Sequence, residues 1–275
     1  MSAVSIVPVK SLPKLRAAIR GFGFAGLALI AVAVGLSDVI ARAPADATGV
    51  GPALAPPSPQ FLLGTDVLGR DVLSETLHAL AVTLIHAGFA TAITLAIGSL
   101  FGFAAARMPW KMGEGFRFIV GILGAVPALL LAILFAGIAS RDYTAIAAGL
   151  AASPLAFART YDRAKALSAS RHAEFARATG IQGTTLMRRD LAYEFRDTFL
   201  AIFARALAAV TITLSTMSFL GFGAVPPHRD LGLVIAAARA TYLQAWWVAA
   251  FPALALLLLI LFARLAAALE EGERP

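Results

Sequence analysis

The chain has no cysteine, only four histidines, and few charged residues of any kind, 14% of its 275 positions. Without thiols there is no disulfide framework and no thiolate chemistry. With so few histidines, His86 stands alone in an apolar run, with no second His, Cys or carboxylate at ligand spacing, so no metal site is expected there. The shortage of charge excludes most. Soluble domains carry roughly 25% charged residues, whereas here 59% of residues are hydrophobic and mean hydropathy is +0.81. Long polar stretches are also lacking, so no soluble domain fits, and the chain reads as an all-α integral membrane protein. The net charge of +7 does not point to nucleic acid, because no basic patch is interleaved with base-stacking aromatics. It reads instead as the basic bias of loops on one side of a membrane.

Taken in order, residues 1–20 are basic and polar, and Gly21 to Ile40 is apolar until Ser37 and Asp38. Ala41-Arg42-Ala43 resembles a signal-peptide cleavage site, but the run exceeds the usual 7–15-residue signal core, so 21–40 is read as a first span. Residues 41–79 form a loop with a short helix. Pro44, Gly49, Gly51, Pro52, Pro56, Pro57 and Pro59 crowd its first part.

Within that loop Gly64-Thr65-Asp66 precedes Gly69-Arg70-Asp71. The Gly spacing invites a phosphate-loop reading, but Arg70-Asp71 stands where the amine and the Mg²⁺-binding hydroxyl belong. A turn leading into a helix capped by Asp71 fits better, with Val72, Leu73, Thr76, Leu77 and Leu80 on one face.

Five further spans are expected within residues 80–266, at about Leu80–Ala106, Phe116–Ile138 with a kink at Pro127, Tyr143–Phe157, Thr198–Phe219 and Ala245–Ala266. The Tyr143 span is short and should continue into the polar residues that follow. Gly98 and Gly102, four apart, permit close helix approach. The Thr198 span should stop abruptly in Gly221 to Pro227, and Trp246-Trp247 should anchor the last span at an interface. Residues 267–275 form a short tail. With both termini inside, the inner segments hold 18 Lys and Arg and the outer ones 5, so both termini and residues 159–196 are placed in the cytoplasm.

Residues 159–196 form a polar island holding 8 of the 23 Lys and Arg. Tyr161 to Ala178 reads as helix, Gly180 as its stop, and a second short helix is expected near Thr184. At its centre lies Glu174-Phe175-Ala176-Arg177-Ala178-Thr179-Gly180. Composition leaves two readings open: a knob that docks into a cytoplasmic partner, or a solvated loop near anionic lipid. Thr211, Ser215 and Ser218 make a hydroxyl stripe at i, i+4 and i+7. They either line a polar path or bond back to their own helix.

The island resembles the cytoplasmic loop of bacterial ABC importer permeases, which reads Glu-Ala-Ala-x-x-x-Gly. Glu174-Phe175-Ala176 and Gly180 fit, with Phe175 replacing the middle Ala, and Tyr193 stands where the family usually has Pro. Leu63 to Ser74 resembles the external signature of the dipeptide, oligopeptide and nickel permeases, in particular their C-type subunit. Leu214 to Gly223 followed by Pro226-Pro227 is similar to the same subunit, while Arg107-Met108-Pro109-Trp110 departs from its Gly-rich turn.

The resemblance implies a six-helix type I importer half-channel in the bacterial inner membrane, not an enzyme. Its expected partners are a homologous permease as heterodimer, two ATPases that hold ATP and Mg²⁺, and an external solute-binding protein. No cofactor is expected on this chain. Residues 174–180 would be the coupling helix seated in one ATPase. Peptide is the expected cargo, with nickel or a metal chelate as runner-up. An ATP-independent secondary transporter, the reading from another class, would want buried carboxylates or broken helices carrying ion sites.

Overall fold

The computed structural model describes residues 13–41, 43–44, 47–139, 143–170, 183–223 and 228–268, with 183–198 described by their backbone alone. Nine α-helices follow one another among the described residues. They are α1 (Pro13–Gly35), α2 (Ser37–Ile40), α3 (Val72–Arg107), α4 (Trp110–Ala125), α5 (Ala128–Ala139), α6 (Thr144–Ser168), α7 (Gly183–Phe219), α8 (Leu231–Ala237) and α9 (Trp247–Ala266). A 3-10 turn, Ala238–Ala240, extends α8. The single extended pairing among the described residues is an isolated bridge between Thr65 and Asp71.

Among the described residues four helical stretches are long and apolar enough to cross a bilayer: Lys14–Gly35, Val72–Arg107, Phe199–Phe219 and Trp247–Ala266. The kink expected at Pro127 is a break. Proline lacks the amide that α4 would need to continue, and Trp110–Ala125 meets Ala128–Ile138 at 88°. Counted as one span, the pair gives five. The sixth, expected at Tyr143–Phe157, belongs to α6. That helix does run on into the polar island, to Ser168, and its charged second half (Arg159, Asp162, Arg163, Lys165) keeps it out of the apolar set.

Three boundaries differ from the sequence expectation, two of them because nothing stops the helix. No Gly or Pro interrupts Val72 to Ala87, so the short loop helix and the second span are one 36-residue helix. No breaker follows Gly183, so the second island helix is the start of α7 and continues through Tyr193. The first span begins at Pro13, a residue suited to a first helical turn, and ends at Gly35.

The core is built from small side chains. Ala87 and Ala90 of α3, Ala147, Ala148, Ala151 and Ala152 of α6, and Ala208 and Val210 of α7 form one buried cluster. The close approach expected at Gly98 and Gly102 falls against α6. A Cβ on Gly98 would lie 2.5 Å from the Ser153 carbonyl oxygen, and one on Gly102 2.6 Å from that of Phe157. The backbones therefore meet without side chains between them, and Thr94 Oγ1 donates across the gap to the Gly149 carbonyl at 2.9 Å.

Candidate functional site

The chemistry concentrates where the loop before α3, the first turns of α3 and the segment between α7 and α8 converge. In the loop, Asp66 Oδ1 accepts the amides of Leu68 and Arg70, each at 2.8 Å, which folds the turn back on itself. Thr65 is fully buried; its Oγ1 accepts the Ala55 amide at 2.8 Å and donates to the Pro52 carbonyl, pinning the Pro-rich stretch. Gly64 and Gly69 have φ of +79° and +69°. Only glycine takes these without strain, and space forbids a side chain as well: a Cβ on Gly69 would lie 2.3 Å from the Gly51 carbonyl oxygen. The Trp247 indole N–H of α9 donates to the Thr65 carbonyl at 3.2 Å. Asp71 caps α3, accepting the Ser74 amide at 3.0 Å and its hydroxyl at 2.6 Å. All six residues singled out in the Gly64–Asp71 signature thus share one knot.

That knot opens onto a charge cluster that sequence reasoning missed. Glu75, one turn into α3, is 4% exposed. Its Oε1 meets Arg70 Nη1 at 3.5 Å and is in closer contact with Arg229 Nη1. A carboxylate buried between two guanidinium groups is compensated twice over. The next residue, Asp230, caps α8 by accepting the Leu233 amide at 2.8 Å, and it takes the hydroxyl of Ser218 at the end of α7. Burial pushes its carboxyl above the usual range, opposed by the Ser218 hydroxyl and the Leu233 amide. The Leu231 amide donates to Thr83 Oγ1 of α3 at 3.0 Å. Beside these groups lies a cavity of about 670 Å³, whose lining includes polar Asp66, Arg70, Glu75, His78, His228 and Arg229 and apolar Val82, Ile85 and Leu233. Asp230 before an apolar run carried a legible cap signature; Glu75 was legible only as an acid among Val72, Thr76 and Leu80.

The hydroxyl stripe ends at this cluster. Thr211, Ser215 and Ser218 are all buried within the chain. Ser218 is spent on Asp230, whereas Thr211 Oγ1 and Ser215 Oγ make no hydrogen bond. α7 then stops in a left-handed cap: Gly221 has φ of +89°, its amide donates to Ser218 and that of Phe222 to Met217.

At the other end of α3, Tyr161 of α6 donates to Glu114 of α4 at 2.9 Å, and Arg117 pairs with Asp162 at 2.9 Å. α6 leads from there into the island. Glu174 to Gly180 lie outside the described residues, as do Pro226 and Pro227. Among the described residues no group of three or more His, Asp or Glu is arranged to hold a metal ion.

Comparison with known proteins decides the family. No family model matches the chain. The di/tripeptide transport system permease protein DppC of Pseudomonas aeruginosa is 30% identical over 219 residues, covering 76% of this chain and 71% of the relative. The chain belongs to the family of ABC peptide-type permeases. A glutathione transport system permease protein of Escherichia coli is 34% identical over 207 residues, 74% of this chain and 68% of its own. A putative peptide transport system permease protein of Brucella suis is 28% identical over 239 residues, 85% and 79%. The permease is thus a multi-pass integral membrane protein and a transport subunit.

Proposed function

We propose that this permease forms half of the translocation pathway of an ATP-driven, binding-protein-dependent importer, and that its cargo is peptide. The observation that supports this most is the likeness of about three-quarters of the chain to permeases named for di/tripeptide and glutathione transport. In this reading α6 completes a set of six spans in the bacterial inner membrane, its alanine face turned into the bundle and both termini cytoplasmic. Residues 174–180 seat in one of two ATPases, which hold ATP and Mg²⁺. A second, homologous permease supplies the other half of the pathway, and the signature loop faces the binding protein.

The physical logic is a shift between two packings of one bundle, driven by nucleotide on the ATPases. Thr211 and Ser215 hold hydroxyls without a partner, suited to the amides that every peptide shares, while Ser218 closes the stripe on Asp230. The secondary-transporter reading wants buried carboxylates or broken helices that carry ion sites; the buried Glu75 and Asp230 are engaged by Arg70 and Arg229 and by Ser218 and the Leu233 amide. The break at Pro127 instead borders a cavity of about 550 Å³ lined largely by Gly, Ala, Val and Pro, with Arg117 as its ionisable group.

The test is uptake in proteoliposomes that contain the permease, its partner permease, both ATPases and the binding protein. ATP-dependent peptide uptake is expected, with Gly180→Trp abolishing uptake while the chain still inserts. Uptake without any ATPase would overturn the reading. A metal chelate recovered from the binding protein, rather than peptide, would overturn the cargo assignment alone.

A further inference from the structure

We propose that α8 is a lid over one end of the Thr211–Ser215–Ser218 stripe, and that Glu75 is the positioning residue that holds it shut through Arg229. The inference rests on the permease reading, in which that stripe lines the pathway.

Coverage is direct. A Cβ on Gly232 would lie 2.2 Å from the Ser215 carbonyl oxygen and 2.9 Å from Ser218 Cβ, so the first turn of α8 sits on the stripe itself. Two of the stripe's three hydroxyls, one of them directly under α8, are unsatisfied. Thr213 and Thr216, off the stripe, donate back to the carbonyls of Ala209 and Ile212 at 3.0 and 2.7 Å. Thr211 and Ser215 are 0% and 5% exposed and form no such bond. Buried hydroxyls are ordinarily paired. These two are placed to be paired in another state, by the backbone amides of a passing peptide.

The lid is tied down on both sides. Asp230 holds it to α7 through Ser218, the Leu231 amide holds it to α3 through Thr83, and Arg229 holds it to α3 through Glu75. Leu231 and Val234 pack against Ala79, Leu80 and Leu259. The charged tie is built to part. A buried ion pair is hard to open because separation strands a charge. Glu75 keeps Arg70 when Arg229 leaves, and Arg229, a quarter exposed, has solvent at hand. The cavity of about 670 Å³ beside Leu233 and Ala237 gives the helix room to move.

Since the chain has no native cysteine, Ser215→Cys can report on the lid in the assembled transporter, with a complex lacking that substitution as the background. Slow labelling by a polar maleimide is expected without nucleotide, and faster labelling with ATP and vanadate trapped on the ATPases. Adding Glu75→Gln should speed the nucleotide-free labelling about tenfold, while Arg229→Lys should keep it slow. An unchanged rate in Glu75→Gln overturns the latch.

A second variant leaves the latch intact. Val82→Cys with Leu233→Cys, both lining the cavity beside α8, can be joined by a reducible bifunctional thiol reagent. Uptake should stop on joining and return on reduction. Uptake through the joined protein overturns the lid. Absence of ATP-dependent uptake in the unmodified complex would sink the permease reading instead, and the labelling contrast reads the lid separately from it.

Discussion

At the Asp71 end of α3, a carboxylate only 4% exposed serves two guanidinium groups. Near the Arg107 end, Arg117 and Asp162 pair at a good distance with 46% and 54% of their side chains exposed. Both sites contain the same functional groups, yet they should behave differently. Water screens the second pair, so its two members can part at little cost. The first cannot lose its acid without leaving the two guanidinium groups facing each other, Arg70 with only the more distant Asp66 at 4.0 Å and Arg229 with solvent. Burial, rather than the number of ion pairs, sets what each charge does for the fold.

The contrast can be broken by mutation. The largest effect is expected from Glu75→Ala, about 3–5 kcal/mol of stability, seen as a large fall in thermal midpoint of the purified permease in nanodiscs; a fall no larger than that of Asp162→Asn would refute the contrast. Next, Gly69→Ala should cost about 1–3 kcal/mol, because its positive φ and its approach to the Gly51 carbonyl leave no strain-free alternative. Protease nicking in the Pro-rich loop would report it. Asp71→Ala removes the cap of α3 and should cost about 1 kcal/mol, read by faster amide exchange at Ser74 and Glu75. Asp162→Asn comes last, at no more than about 1 kcal/mol, and should be indistinguishable from the unmodified protein in high salt.

Local signals were the legible ones. The Asp71 cap, the Gly221 stop and the Gly98–Gly102 contact each depend on a few neighbouring residues, and the structure shows each where the sequence placed it. The charge cluster depends on Arg229 meeting Glu75 across more than half the chain, which no local pattern encodes. Pro127 announced a disturbance, but a proline alone does not specify the 88° between the two helices. The position of α6 was hidden for another reason. A helix whose alanines are buried against α3 needs little hydropathy of its own, so its composition understates its depth in the bundle.

The continuity of α3 has a mechanical consequence. At 1.5 Å per residue its 36 residues make a rod of about 54 Å, well beyond the roughly 30 Å of a bilayer's hydrocarbon. A rod of that length works as a lever: tilting it by about 10° at the Arg107 end would carry Asp71 through roughly 9 Å. A small rotation on one side of the membrane is thereby converted into a displacement as wide as a helix on the other.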